Sequence, residues 1–419
     1  MLIVFLSSFV ANPLASFGIH IGISGILIWV VFFLDQFKVG KKRLSMIPRK
    51  VYFVIIGIAI YGLILGLLNL DDTKLSPDRE SNIVQIINVT LYLLTVAAFI
   101  KISEPVFFNP AKRFLLLKAF VFSVFFHLFT VLITNYGYAN LIPDFLIGSA
   151  TIMDEGDKGL TDIVRNAGLI GDYELIVDYS IIVIFASLML ILHSENKILG
   201  VSGIISSIVI GSFSGTRSFF VVLVIVLLLI FFFNLLFIRN KFKAIKMIGV
   251  LLFLFFGLYY FILKDLVVFE RLLFAIDLYN SGASIEETSN RNVLSYLPEF
   301  INSTPFIGNG SFFFFYLYKE SLVSHNIFLA LYTKYGIIGI MPLLMLLIYL
   351  FSRLVKFVLN SKNDAQKTEI ILFISFLIGL LFQEWKVSGI RFFASIIIYV
   401  IFFMILYSHV YTLKLIQKK

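Results

Sequence analysis

Runs of apolar residues recur along the whole chain, and each is about as long as a helix that crosses a lipid bilayer. Such a helix needs roughly 20 predominantly apolar residues. Twelve runs fit, near residues 2–15, 17–35, 51–69, 83–100, 114–134, 175–193, 198–213, 218–238, 247–262, 326–351, 369–383 and 391–410. Because spanning segments must satisfy their own backbone hydrogen bonds in lipid, we expect an all-α, polytopic integral membrane protein. It would have about 12 transmembrane helices in a single membrane domain, residues 1–419.

The composition also indicates lipid rather than water as the solvent. Apolar residues make up 60% of the 419 residues and charged residues only 14%, far from the balance of a soluble domain. This excludes disordered chains, coiled coils, secreted disulfide scaffolds and ordinary cytosolic enzymes. The chain has no cysteine, which excludes thiol catalysis, Cys-ligated zinc and iron–sulfur clusters. The net charge of +9 does not imply a nucleic-acid partner, since basic residues accumulate on the cytoplasmic side of membrane proteins.

Basic residues are concentrated in alternate loops, which predicts the orientation of the chain. The basic set comprises 38–50, 101–113, 194–197, 239–246, 352–368 and the tail from residue 411. It holds 21 Lys and Arg against 5 acidic residues, counting Asp35 and Glu369 at its borders, whereas the alternate set holds 11 against 20, a net charge of −9. Because basic loops stay in the cytoplasm, we expect both termini inside and the alternate set outside.

Two of the loops predicted to lie outside are long. They cover residues 135–174 and 263–325, and a loop of about sixty residues is usually functional rather than a simple connector. The apolar spacing in the second loop predicts an amphipathic helix around 267–278. A second helix is predicted to begin at Ser289 or Asn290 and to run to about Phe300. The loop 263–325 is therefore expected to lie outside and to carry two short helices.

Motifs of soluble enzymes are missing from the sequence. There is no P-loop, Gly-rich dinucleotide turn, HExxH or GxSxG, and the five histidines have no metal-ligand spacing. We therefore expect no bound metal and no cofactor, and any chemistry must come from other polar side chains.

Arginines near the predicted outer boundary are the first candidates. Arg217 lies in the polar turn Ser212–Ser218, which needs only Gly and Ser to form. A charge beside the bilayer is costly unless it faces a cavity or a partner, although a snorkelling interfacial anchor is the alternative. Arg291 opens the second loop helix, where a basic residue opposes the helix dipole and suits a bound anion. Arg165 lies just before the sixth span. Taken alone, Arg165 and Arg291 are by default solvated surface arginines.

Further candidates lie at the same predicted side of the membrane. His325 and Asn326 open the tenth span at the end of the long loop. Histidine can serve as an acid, a base or a hydrogen-bond donor near neutral pH, although a lone interfacial histidine is more often structural. Glu384 and Lys386 flank Trp385 at the end of the eleventh span, where a simple ion pair is the alternative to a substrate-binding role.

The order of these segments resembles the O-antigen ligase/polymerase family of bacterial polysaccharide assembly. The segments are Ser212–Ser218, Arg291, Pro305–Gly310, Ser324–Leu329 and Tyr335–Gly339. They match the family's arginine in a Ser-rich turn, its arginine before a Pro-x-x-Gly-x-Gly stretch, its His-Asn pair and its Gly-x-x-Gly helix. Arg165 with Gly168 is similar to the family's Arg-x-x-Gly segment, but Asp172-Tyr173-Glu174 stands where the family often has Pro-Asn. The motifs span about 160–345, and the topology agrees over nearly the whole chain.

The resemblance implies a metal-independent glycosyltransferase in the bacterial plasma (inner) membrane. Its donor and acceptor would be oligosaccharides on undecaprenyl pyrophosphate, and a chain-length regulator and a flippase would be its protein partners. Arg217, Arg291 and His325 would be catalytic, and Arg165, Asn326, Glu384 and Lys386 would bind substrate. The chemistry of the residues agrees, since arginine suits bidentate phosphate contacts and can stabilise a departing pyrophosphate without a metal.

We expect a polymerase that lengthens O-antigen, capsule or exopolysaccharide. Three other functions remain open at this point. An O-antigen ligase would transfer finished glycan to lipid A–core, and a flippase would move lipid-linked oligosaccharide across the membrane. The long outer loop and the scarcity of charges deep in the spans count against a transporter. A non-enzymatic scaffold would leave the order of the arginines and the histidine unexplained.

Overall fold

The structure is a computed structural model. It describes residues 1–7, 9, 19, 21–37, 47–68, 82–135, 138, 141, 168–170, 173–214, 216–238, 249, 256–257, 260, 277, 280–281, 306–308, 314–315, 322–323, 327–361, 363–386 and 393–417.

Helices make up nearly all of these residues. In chain order they are α1 (Leu2–Leu6), α2 (Gly22–Gln36), α3 (Arg49–Leu68), α4 (Asn82–Phe107), α5 (Pro110–Asn135), α6 (Tyr173–Leu192), α7 (Lys197–Phe213), α8 (Arg217–Phe237), α9 (Ile327–Asn360), α10 (Asp364–Lys386) and α11 (Phe393–Gln417). A short 3₁₀-helix, Gly168–Ile170, precedes α6. Within the predicted long loop, β1 (Phe314–Phe315) pairs antiparallel with β2 (Leu322–Val323), with Phe314 opposite Val323.

Among the described residues, seven helices are long and apolar enough to cross a membrane. They are Arg49–Leu68, Ile87–Phe107, Pro110–Thr134, Leu175–Leu192, Ser218–Phe237, Tyr335–Asn360 and Asp364–Glu384. Three shorter apolar helices are Gly22–Gln36, Lys197–Phe213 and Ile396–Tyr411. The helical fold class is thereby confirmed, and the length and composition of these helices support the multi-pass membrane character. The expected number of twelve spans is not confirmed, and the predicted span at 247–262 lies almost entirely outside the described residues.

Several helices extend beyond the apolar run that predicted them. The segment 101–113 was expected to be a basic loop, yet α4 continues to Phe107 and α5 begins at Pro110. Likewise α9 continues to Asn360, well into the expected loop 352–368. The physical reason is that apolarity marks only the part of a helix within hydrocarbon, whereas the backbone hydrogen bonds continue into the interface.

The chain forms two compact units. The first consists of residues 1–116, 290–347 and 384–419. In it α4 packs against α2, α3 and α11. Trp29 Nε1 on α2 donates to Thr95 Oγ1 on α4 at 2.9 Å, and the buried Glu104 accepts the backbone N–H of Ile47 at 2.8 Å.

The second unit consists of residues 117–289 and 348–383. Helix α6 is the most buried of the seven candidate spans. Every side chain from Leu175 to Leu190 on α6 is buried, as expected for a helix that is apolar on all sides. Helix α7 packs closely on α6 because Gly203 leaves no side chain there: a Cβ on Gly203 would lie 2.5 Å from Ser187 Oγ. Small residues at such contacts let membrane helices approach each other.

A hydrogen-bond chain joins α6 to α5 within this unit. Ser123 Oγ donates to the carbonyl of Phe120 at 2.6 Å, which uses its only proton. The 2.6 Å contact between Ser123 Oγ and Tyr179 Oη therefore has the tyrosine as donor. Five residues before Ser123 on α5, Lys118 forms an ion pair with Glu195 at 2.9 Å, so a lysine predicted within a span has a carboxylate partner.

Candidate functional site

Three residues of the predicted long loop, Phe306, Ile307 and Gly308, are held against two helices of the first unit. We call residues 306–308 the strap. The carbonyl of Phe306 accepts the backbone N–H of Ile337 on α9 at 3.0 Å. The carbonyl of Ile307 accepts the hydroxyl of Tyr61 on α3 at 2.6 Å. Irregular backbone beside membrane helices is tolerated where its polar groups are satisfied, and here two successive carbonyls have donors.

Gly336 makes this close approach possible. It interrupts α9 with φ +60° and ψ −169°, so that the helix is in fact two helices joined at a kink. A Cβ on this residue would collide with backbone atoms of Phe306, Ile307 and Gly308. Only glycine combines a positive φ of this kind with the absence of a side chain. Gly336 in the Tyr335–Gly336 pair therefore permits both the kink of α9 and the close approach of the strap.

The residue before the kink packs on α3. Tyr335 is 3% exposed, and a Cβ on Gly62 would lie 2.7 Å from its Cε1 atom. Adjacent residues Tyr61 and Gly62 thus contact the strap and the kink of α9, respectively. The structure brings together two segments that the sequence singled out separately, Pro305–Gly310 through its described residues and Tyr335–Gly339.

The strap and kink bracket the predicted His-Asn pair along the chain. His325 and Asn326 directly precede Ile327, the first residue of α9. His325, Asn326, Arg165 and Arg291 all lie outside the described residues. Their assignment stays a prediction from the sequence.

Arg217 is the first residue of α8 rather than part of the preceding turn, where the sequence placed it. Thr216 is the N-cap residue with extended backbone angles, φ −91° and ψ 109°. The turn itself is held by Ser214, whose Oγ donates to Gly211 at 2.6 Å and accepts the N–H of Thr216 at 3.2 Å. The difference arises because the capping geometry begins a helix one residue before the apolar run. The guanidinium of Arg217 is outside the described part of the structure.

Glu384 is a buried carboxylate in the first unit. Its side chain is 2% exposed near the end of α10, and its Oε1 accepts the hydroxyl of Tyr399 on α11 at 2.8 Å. The ion pair expected with Lys386 involves a side chain outside the described set. An ionisable group inside a membrane helix is by default a functional candidate, with its partner named. The partner seen here is a tyrosine.

Sequence reasoning missed Tyr61 and Tyr399. Each is a single tyrosine inside an apolar run, and nothing local distinguishes it from a tyrosine that fills space. The carbonyl acceptor of Tyr61 is 246 residues away in sequence. No pattern within a span could have indicated either contact.

The candidate residues that the sequence singled out carry groups of the kinds that bind polar, anionic substrates. Guanidinium, imidazole, amide and carboxylate groups are available from the candidate residues, and the strap and α9 hold the segments that flank the histidine. No family model matches this chain, and no curated protein matches it. Inference of function therefore starts from the residues of this chain.

Proposed function

We propose that this protein is a metal-independent glycosyltransferase that polymerises lipid-linked oligosaccharide repeat units. It would act on the outer face of the bacterial plasma membrane and extend O-antigen, capsule or exopolysaccharide. The observation that supports this proposal most is the hydrogen bond between Phe306 and Ile337. It joins the Pro305–Gly310 and Tyr335–Gly339 segments, which belong to one ordered series of motifs, at the boundary of a membrane-spanning helix.

In the proposed reaction the growing glycan leaves its undecaprenyl pyrophosphate and is joined to a hydroxyl of the next lipid-linked unit. The anomeric C–O bond to the pyrophosphate breaks, and a C–O bond to the acceptor forms. Arg217 and Arg291 bind the departing pyrophosphate, whose charge requires fixed positive groups. His325 either accepts the proton of the acceptor hydroxyl or orients the donor.

The remaining candidates would bind sugar or phosphate groups around this centre. They are Arg165, Asn326, Glu384 and Lys386. The partners expected for such an enzyme are the two lipid-linked oligosaccharides, membrane lipid, a flippase and a chain-length regulator. Both termini would be cytoplasmic, so that the long loop meets substrate outside.

A deletion strain tests the class of function. A polymerase deletion reduces the surface glycan to a single repeat unit and leaves the single unit on its lipid carrier. Glycan absent from lipid A–core but accumulating on the carrier would instead identify a ligase. Precursor trapped on the inner face would identify a flippase. Unchanged surface glycan would contradict the proposal altogether.

Substitutions of the two arginines and the histidine test the mechanism. Arg217→Ala and Arg291→Ala should each slow extension of purified lipid-linked repeat unit by at least tenfold, because a charge-assisted hydrogen bond contributes roughly 1.5–3 kcal/mol. Arg→Lys should also impair extension, since lysine keeps the charge but loses the planar fork. His325→Ala should lose roughly 10²–10⁴-fold if the imidazole is the base. Wild-type extension rates for both Arg217→Ala and Arg291→Ala would refute the role of the arginines. Inhibition by EDTA would refute the metal-independent mechanism.

A further inference from the structure

Two helices of the second unit, α6 and α10, run antiparallel with a register that the described contacts define. Phe185 on α6 packs against Phe373 and Phe376 on α10, with ring centroids 4.7 Å and 5.4 Å apart. In the turn just after α6, His193 Nε2 lies 3.2 Å from Glu369 Oε1 on α10. Residues with higher numbers along α6 contact residues with lower numbers on α10, so the two helices run in opposite directions.

The same register extends toward the other end of the pair. Asp178 lies seven residues before Phe185, and Gln383 lies seven residues after Phe376. Seven residues are about two helical turns, so each polar residue lies on nearly the same face as its phenylalanine. Because the helices are antiparallel, both steps lead in the same direction. Extrapolated by two turns, this register puts Asp178 and Gln383 on the facing sides of the two helices.

Both side chains are withdrawn from the surface. Asp178 is 0% exposed and Gln383 is 1% exposed. Both amide atoms of Gln383, Nε2 and Oε1, have no hydrogen-bond partner within the described structure. A buried amide that makes no hydrogen bond is destabilising, and polar groups kept at that cost inside a membrane helix mark substrate pathways.

Each residue of the pair lies near one end of its helix. Asp178 lies five residues from the start of α6 and Gln383 three residues from the end of α10. At 1.5 Å per residue these steps are about 7.5 Å and 4.5 Å along the helices. These ends of α6 and α10 are the ends that the charge pattern of the loops predicts to lie outside, where the donor and acceptor glycans are.

We propose that Asp178 and Gln383 form a binding site for a sugar hydroxyl of the lipid-linked glycan. A hydroxyl donates one hydrogen bond and accepts others, and the pair supplies matching groups. The carboxylate of Asp178 accepts the hydroxyl proton, while the amide of Gln383 donates to the hydroxyl oxygen and accepts from a neighbouring hydroxyl. This assignment rests on the proposed glycosyltransferase function and adds a sugar-recognising residue pair to it.

Gln383→Leu separates a ligand-binding role from a structural one. Leucine has a similar size and removes the unsatisfied amide, so the melting temperature of the purified protein in detergent should stay equal or rise. Extension of the glycan should nevertheless slow by about tenfold, which corresponds to roughly 1.4 kcal/mol for a lost hydrogen bond. The probe is the lipid-linked repeat unit extracted from the deletion strain, in which it accumulates.

Ser375→Ala is the matched control on the same helix. Ser375 is 0% exposed, and its Oγ also has no hydrogen-bond partner in the described structure. It lies eight residues from Gln383, away from the proposed site. Its substitution should likewise preserve or raise the melting temperature, but extension should continue at the wild-type rate.

Asp178→Asn tests the second member of the pair and should slow extension at least as much as Gln383→Leu. A lower melting temperature for Gln383→Leu would show that the amide is a structural partner and would overturn this site. Wild-type extension by Gln383→Leu would overturn it as well. Failure of the glycosyltransferase proposal looks different, because the deletion strain would then show unchanged surface glycan or precursor trapped on the inner face.

Discussion

At the scale of single residues, Gly336 shows how one missing side chain determines the path of a loop. Its φ of +60° breaks α9, and the strap occupies the space that a Cβ would fill. The backbone N–H of the next residue, Ile337, can therefore donate to the carbonyl of Phe306 in the strap. Gly57 on α3 provides the contrast, since a Cβ there would meet nothing within 4 Å.

Gly336→Ala should lower the free energy of unfolding by roughly 2–4 kcal/mol. The substitution adds backbone strain at a positive φ and a collision with the strap. Gly57→Ala should be neutral or should stabilise by up to about 1 kcal/mol, because alanine favours a helix. Thermal unfolding of both purified variants in detergent compares the two. Equal melting temperatures would contradict the packing described for the kink.

At the scale of elements, the strap, α3 and α9 depend on each other. Tyr61 ties the strap to α3, and the strap in turn accepts the N–H of Ile337 on α9. Loss of the hydrogen bond from Tyr61 should therefore weaken the hydrogen bond from Ile337. Tyr52 lies on the same helix, and its hydroxyl is 3.4 Å from Glu104 Oε2 rather than near the strap.

Tyr61→Phe should speed the hydrogen–deuterium exchange of the Ile337 amide by about two- to twelvefold. The range follows from the roughly 0.5–1.5 kcal/mol that a neutral hydrogen bond contributes, and exchange reports such local opening. Tyr52→Phe should leave this amide unchanged. If both variants exchange at the wild-type rate, the contact between Tyr61 and Ile307 does not hold the strap.

At the scale of the whole molecule, the described residues form mostly apolar helices, whose orientation in the membrane is predicted from charge. Seven helices within the described residues can cross a membrane. The outer location of the loop 263–325 rests on the contrast of 21 against 11 basic residues in the two sets of loops.

Alkaline phosphatase fused after Gly282 should be active, because that enzyme folds only outside the cytoplasm. A cytoplasmic reporter at the same position should be silent. Fusions after Asn363, between α9 and α10, provide the control and should show the opposite pattern. Active phosphatase at Asn363 and inactive phosphatase at Gly282 would reverse the topology and remove the basis of the proposed chemistry.

The sequence by itself determined the class of fold and most helix positions. A bilayer offers no hydrogen bonds to the backbone, so a long apolar run satisfies its own backbone groups by forming a helix. This holds whichever other helices pack against it. The predicted spans at 51–69 and 218–238 accordingly correspond to Arg49–Leu68 and Arg217–Phe237. Functional candidates also came from the sequence, because charged and polar residues are conspicuous against an apolar background.

Only the tertiary structure decided which residues meet. The hydroxyl of Tyr61 reaches Ile307 across 246 residues, Glu384 accepts a hydrogen bond from Tyr399, and Phe185 of α6 packs against Phe376 of α10. Helix ends belong to the same group, since α4 and α5 continue through a segment expected to be a loop. The physical reason is that hydropathy is a property of one segment, whereas contacts depend on how the faces of two helices are turned toward each other.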